Sequence, residues 1–278
     1  MKKIIAMILA LVMMMSLAAC GSAPASGVED GILTVGMECN YAPYNWLQSD
    51  DSNGAVPISN VPNAYANGYD VMMAKKICEA NGWQLEIRKL DWDSLVPAVQ
   101  TGEIDCAIAG QSMTADRDEL VDFAGPYIYA SIVCLVRKDS ALATATGISQ
   151  LTGTCTSQRG TIWYETCLPQ IKGATIQSAA DDAGQMLMAV NSKTCDFVCT
   201  DMPTAQGAII TYPDLMILDF SGSGDDFQVS EEEINIGISV RDGNKTLLDA
   251  MNKVLDPMSA DDFNAMMAQA VAIQPIEE

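Results

Sequence analysis

Residues 91–128 read DWDSLVPAVQTGEIDCAIAGQSMTADRDELVDFAGPYI, and their patterning decides the fold. Asp93–Gln100 has the apolar spacing of a helix, Cys106–Ala109 is a short apolar run ended by Gly110, and Thr114 stands where the next helix should begin. A run this short and apolar reads as a strand buried on both faces. Toward the N-terminus, Leu85–Arg88 and Leu33–Met37 read as strands, and Tyr69–Ala80 as a helix with Asp70 near its start and Asn81-Gly82 at its stop. Toward the C-terminus the alternation repeats, with strands at Ile132–Arg137, Thr154–Ser157 and Phe197–Thr200 and helices at Ile162–Leu168 and Asp181–Val190. A strand at Ile234–Val240 and amphipathic helices at Lys245–Leu255 and Ala260–Ala270 follow.

This alternation predicts an α/β class with mainly parallel sheets, and its repetition predicts two lobes. Crossings near Tyr129–Ile132 and Glu233–Ile236 would let the tail return to the first lobe. Lobe 1 is then 31–130 plus 236–278, and lobe 2 is 131–235. The polar, turn-rich stretch Gln48–Asn67 is expected to be a long surface loop near the site.

Composition narrows the function. The 278 residues carry 15 Lys+Arg against 36 Asp+Glu and no His, a formal net charge of −21. A chain this acidic, with its bases scattered, repels phosphate backbones, so no nucleic-acid partner is expected. The absence of His removes Ser-His-Asp and Cys-His catalysis and any His-ligated metal. No metal site and no cofactor are expected. After Cys20, eight cysteines remain, mostly inside apolar runs such as KKICEA and SIVCLV, where burial as small hydrophobes is favoured over a full disulfide framework.

The N-terminus reads as a targeting segment. Met1-Lys2-Lys3 is a basic start, and Ile4–Ala19 is an apolar run ending in small residues, so 1–19 is expected to be a signal peptide. Leu17-Ala18-Ala19-Cys20 followed by Gly21-Ser22 resembles a bacterial lipobox. That resemblance implies a lipid-modified Cys20 bearing diacylglycerol and palmitate-type acyl chains, with 20–30 as a flexible tether to the membrane. Losing Lys2 and Lys3 leaves 13 bases against 36 acids, a balance of −23. The expected location is extracytoplasmic, lipid-anchored to the bacterial cell membrane.

Five stretches stand in order along the chain: GMECNYAPYNW (Gly36–Trp46), NGYDVMMAKKI (Asn67–Ile77), Asp91–Ile128, the RGT at Arg159–Thr161 and CDFVCTD (Cys195–Asp201). Together they resemble the family 3 extracellular solute-binding proteins, the polar amino-acid receptors of ABC importers. The resemblance runs from about Leu33 to Ala270 and implies a two-lobed periplasmic-binding-protein type II fold with two hinge strands. It implies a monomer that captures a free amino acid, polar or cationic ones favoured, by hinge closure and delivers it to ABC permease subunits.

The resemblance also assigns roles to residues. Arg117 would hold the ligand carboxylate as a bidentate pair, geometry that lysine cannot reproduce. Without the resemblance it could equally be a surface residue of the charged helix start TADRDE. Thr114 would cap that helix while its N–H groups face an anion, and Gly160-Thr161-Ile162 would form a second anion site before a helix. Gly110 and Ser112 match positions that accept from the ammonium, and Gln111 stands where side-chain selectivity could shift. Asp201 would grip the ammonium and also suits the N-cap of the helix opened by Met202-Pro203. Tyr41 and Trp92 would sandwich the ligand side chain, and Glu38 would suit a cationic or amide group on it. Asp70 is better explained by helix capping and lobe support.

An enzyme is not expected. The rival reading is a secreted cyclohexadienyl dehydratase on the same scaffold, for which Glu38 is the obvious general acid. A ligand sensor for a membrane partner is a third.

Overall fold

The computed structural model describes Val28 and residues 30–275. The predicted signal segment 1–19, Cys20 and nearly all of the tether lie outside the described residues. Within them, two five-stranded sheets are built by the two strand–helix series. In the first, the strands run Gln84–Lys89, Ile32–Met37, Cys106–Ser112, Asn235–Arg241, Val121–Tyr129 across the sheet. In the second, the order is Ala174–Ile176, Gly153–Thr156, Phe197–Asp201, Ile132–Arg137, Leu215–Leu218.

Each sheet is half parallel rather than mainly parallel. The first three strands of each pair in parallel, and the other pairings are antiparallel. The cause lies in the crossings. Asn235–Arg241 returns from the second lobe and runs opposite to both of its neighbours, with Asn235 across from Tyr129. Ile132–Arg137 likewise enters the second lobe against Phe197–Asp201. The two connections therefore lie side by side as a hinge.

Burial follows the apolar pattern. Leu33, Val35 and Met37 are wholly buried, each worth about 1.5–3 kcal/mol of transfer free energy. The helix Tyr69–Asn81 buries Asp70, Met73, Ala74, Ile77 and Cys78 at helical spacing, together with Tyr69 and Val71 in its first turn, and ends on Gly82 at φ 72, a left-handed turn that glycine adopts without strain. Lys245–Leu255 buries Leu247, Met251 and Leu255 at successive i+4 steps, and Asn244 accepts a hydrogen bond from the Leu247 N–H as its cap. Ser259 and Asp262 form a reciprocal capping box on the helix Ala260–Ile273.

Three expectations change in detail. The stretch 48–67 is not a plain loop. Val56–Pro57 and Tyr65–Asn67 join Asn40–Tyr41 and Asn45–Gln48 in a four-stranded antiparallel sheet. Its polar strands escaped an alternation test because each is two to four residues long. The expected helix at 162–168 is a π-helical turn, Trp163–Cys167, running into a short 3-10 segment. Asp70 makes no cap, since its helix begins after Gly68 without a side-chain cap bond. It faces inward instead.

Candidate ligand-binding cleft

Six parallel strands end at the gap between the lobes, and the segments leaving their carboxyl ends carry the predicted site. These are Glu38–Tyr41, Leu90–Asp93, Gly110–Arg117, Gln158–Ile162, Asp181–Asp182 and Asp201. The carboxyl edge of an open α/β sheet is where ligands bind, because side chains there are not needed to cover the sheet.

The floor on the first lobe is held by a buried hydrogen-bond chain. The Gly110 N–H donates to the Tyr127 hydroxyl at 2.9 Å, and that hydroxyl donates to Asp70 Oδ1 at 2.7 Å. Asn45 Nδ2 donates to Asp70 Oδ2 at 2.7 Å, while Asn45 Oδ1 accepts from the Cys39 N–H. Burial raises the Asp70 carboxyl to about 7, with the Tyr127 and Asn45 bonds opposing. Asp70 thus supports the lobe through Tyr127. Gly110 has φ +64, and a Cβ there would lie 2.5 Å from the Tyr41 ring, so only glycine lets that ring approach. Gln111 accepts a 2.7 Å bond from the Ser239 hydroxyl inside the sheet, which occupies the group expected to shift selectivity.

Arg117 reaches across the cleft. It donates through Nη1 to the Ser112 carbonyl at 2.8 Å and through Nη2 to the Gly160 carbonyl of the other lobe at 2.7 Å. Its guanidinium carbon lies 5.2 Å from the centre of the Trp92 ring, within cation–π range. Burial lowers it to about 10, which leaves the cation intact at neutral pH. The Ser112 carbonyl therefore serves Arg117 in this arrangement, and Trp92 lies against the guanidinium rather than opposite Tyr41. Thr114 is the N-cap residue of Ala115–Asp118, but its side chain makes no cap bond. The Thr161 hydroxyl donates to the Gln158 carbonyl at 2.7 Å and accepts from the Tyr164 N–H, closing the turn that carries Ile162.

Asp201 is the counterpart on the second lobe. It caps the helix Met202–Thr211, with Oδ1 accepting from the Thr204 N–H at 2.8 Å. Its other oxygen accepts from two hydroxyls of the first lobe, Tyr41 at 3.1 Å and Tyr44 at 3.0 Å. Thr204 Oγ1 donates to the Tyr41 hydroxyl in turn. The rings of Tyr41 and Tyr44 stack with centroids 4.7 Å apart. Burial raises the Asp201 carboxyl, and the hydrogen bonds from Thr204, Tyr44 and Tyr41 work against that rise. Tyr44 is the main participant that the sequence reading missed; it lies three residues past Tyr41, inside the stretch that carries the resemblance.

Two cavities flank this centre. One of about 420 Å³ is lined by Glu38, Lys89, Trp92, Arg159, Asp182 and their neighbours. The other, of about 280 Å³, is lined by Thr114, Arg117, Gly160, Thr161 and Ile162 on its cleft side. Glu38 is buried, and among the described residues its carboxylate accepts hydrogen bonds from the Gln158 amide, at 3.4 and 3.5 Å. Desolvation chiefly, with Asp182 and Asp91 adding, raises Glu38 to about 8 against the pull of Gln158 and Lys89. Lys89 is itself engaged, donating to the Glu38 carbonyl at 2.7 Å. Arg159 pairs with Asp181 and lies 3.5 Å from Asp93. The larger cavity is therefore acidic, and both of its bases are already paired.

Two α/β lobes joined by a hinge, with Arg117 donating to the Gly160 carbonyl and Asp201 accepting from Tyr41 and Tyr44 across the gap, have the architecture of the two-lobed binding proteins. The sequence matches the family described as Bacterial extracellular solute-binding proteins, family 3, over residues 33–270, and the chain belongs to that family. It is similar to the arginine-binding extracellular protein ArtP of Bacillus subtilis (strain 168), 28% identical over 144 residues, which is 51% of each chain. The matched part thus spans about half the length of that relative. It is also similar to a probable histidine-binding protein of Campylobacter jejuni, 25% identical over 234 residues, covering 83% of this chain and 81% of the relative. The fold is shared with an amino acid ABC transporter substrate-binding protein of Streptococcus pneumoniae solved with L-arginine. That structure has a TM-score of 0.76 at 23% identity and covers 90% of this chain and 99% of its own.

Proposed function

We propose that this protein captures a free amino acid with a polar or cationic side chain in the interlobe cleft and delivers it to the permease of an ABC importer. The observation that carries the reading is the opposition of two charges at one closed gap. Arg117 belongs to the first lobe and reaches the Gly160 carbonyl of the second, while Asp201 belongs to the second and accepts from Tyr41 and Tyr44 of the first. A zwitterion presents a carboxylate and an ammonium that must both be satisfied once water is excluded. Among the described contacts, two of the five Arg117 donors are used by carbonyls, which leaves donors for a carboxylate. Ligand seated on one lobe recruits the other through contacts made only in the closed form, and that differential shifts the hinge equilibrium.

The acidic larger cavity and relatives bearing arginine- and histidine-binding names favour a cationic side chain. A thermal-shift screen against the twenty amino acids is expected to raise the midpoint most for a basic one, since a ligand specific to the folded state stabilises it by mass action. No shift with any of them would refute the reading.

Glu38 adds a pH signature. Held at about 8, it is protonated below that value and must lose its proton to pair with a cation. Affinity for L-arginine is expected to rise with pH toward 8, by at most about tenfold per unit. Glu38→Gln should flatten that dependence, as read by titration calorimetry. A flat profile in the unaltered protein would remove Glu38 from the side-chain site.

The same protonated carboxyl is what a cyclohexadienyl dehydratase would use as its acid. Product release from prephenate or arogenate would replace pure binding with that activity. Attachment to the membrane through Cys20 is part of the proposal, supported by the lipobox-like LAAC at 17–20. Cys20→Ser is expected to release the protein to the medium, and continued membrane retention would speak against lipidation.

A further inference from the structure

Five of the eight described cysteines lie in the second lobe, and two of them meet. Cys134 and Cys199 are direct register partners on the antiparallel strands Ile132–Arg137 and Phe197–Asp201. Their sulfurs are 3.4 Å apart, and both residues are wholly buried. We propose that Cys134 and Cys199 are joined by a disulfide in the folded extracellular protein.

Three observations carry this. Opposed residues of an antiparallel pair have Cα atoms about 4.5 or 5.5 Å apart, and both values fall inside the span a disulfide bridges. The sulfurs already lie 3.4 Å apart, so closing the bond requires a shift of about 1.4 Å shared between two side chains, given a bond of about 2.05 Å. The family is described as extracellular, and disulfides form and persist in oxidising environments outside the cytosol, whereas the structure carries both residues as thiols. Other cysteines are differently engaged: Cys39, Cys78 and Cys155 each turn the thiol to a backbone carbonyl.

The bond forms by two exchanges with a small disulfide such as oxidised glutathione. The thiolate of one cysteine attacks the small disulfide, expelling one thiol and leaving a mixed disulfide. The thiolate of the other then attacks the protein sulfur, expelling the second thiol. Two S–H bonds are lost with their protons, one S–S bond forms, and the oxidant gains two electrons. Burial raises the Cys199 thiol well above its usual range, which disfavours the thiolate inside the finished core. Exchange therefore belongs to folding, before the sheet closes. The product ties the strand that ends in Asp201 to the strand that leaves the hinge.

The test is to refold the reduced chain with oxidised and reduced glutathione, block remaining thiols with N-ethylmaleimide in denaturant, where the buried thiols become accessible, and map the digest by mass spectrometry. A linked pair of peptides joining Cys134 to Cys199, with alkylation at the other cysteines of the refolded domain, is the expected result. Reduction should lower the melting temperature by roughly 5–15 °C, since the bond closes a loop of 65 residues. The double variant Cys134→Ala/Cys199→Ala should melt lower and be insensitive to reductant. Alkylation of both residues in most molecules, or linkage of either to another cysteine, would overturn the proposal. Neither readout depends on which solute binds.

Discussion

Arg117→Ala is expected to cost at least about thirtyfold in affinity for the amino-acid ligand while leaving both lobes folded. The guanidinium is half-buried against Trp92 and bridges to the opposite lobe, and a hydrogen bond from a charged donor is about twice as strong as a neutral one. Truncating one partner of a buried charge pair costs about 2–5 kcal/mol, much of it the penalty of leaving the other charge unpaired, and this corresponds to roughly 30- to several-thousand-fold in affinity. Arg117→Lys should recover little, because an ammonium cannot offer the planar fork. Neither sheet is built on Arg117, which sits on a four-residue helix beyond the end of Cys106–Ser112. Calorimetric titration with L-arginine, alongside a circular dichroism melt, checks both halves of the expectation. Retained affinity in Arg117→Ala would refute the carboxylate assignment.

Asp201→Ala is expected to weaken binding by a similar factor and also to loosen the second lobe. Three donors converge on this carboxylate, from Thr204, Tyr41 and Tyr44. Removing it leaves two buried hydroxyls without that partner and strips the cap from the helix Met202–Thr211, a loss of about 1 kcal/mol for the cap alone. Asp201→Asn separates the roles, because the amide oxygen can still cap the helix while the charge is gone. Binding should stay poor in the asparagine variant, and stability should return most of the way. Small-angle scattering reads the closure directly: the ligand-induced fall in radius of gyration should shrink or vanish in both variants. An unchanged fall would remove Asp201 from the closing contacts. Tyr44→Phe deletes one of the three donors and should give a milder loss, about tenfold.

Much of this was legible in the chain because the signals are local. Helical spacing at Tyr69–Asn81 and short apolar runs at Cys106–Ser112 and Phe197–Asp201 arise from neighbours a few residues apart. The segments that bear Arg117 and Asp201 carry motifs of a known order, so their place at the interlobe cleft could be anticipated. Tyr44 could not be anticipated in the same way. Its partner Asp201 lies 157 residues further along, and an aromatic in that setting reads as core. The pairing of Trp92 with Arg117 is equally non-local, as is the burial of Asp70 under Tyr127. The short strands of 40–67 were hidden because a strand of two to four residues has too little periodicity to detect.

The amino-acid sequence alone determined the α/β class, the two series of strands and helices, the family, and the absence of any histidine chemistry, since these depend on composition, near-neighbour spacing and ordered motifs. The tertiary structure decided the rest: a half-antiparallel sheet in each lobe, the shared grip of Tyr41 and Tyr44 on Asp201, an acidic cavity around Glu38, and the contact of Cys134 with Cys199. Each of these joins groups far apart in the chain. Their energies depend on which strands the crossings bring side by side and on how completely water is excluded where they meet.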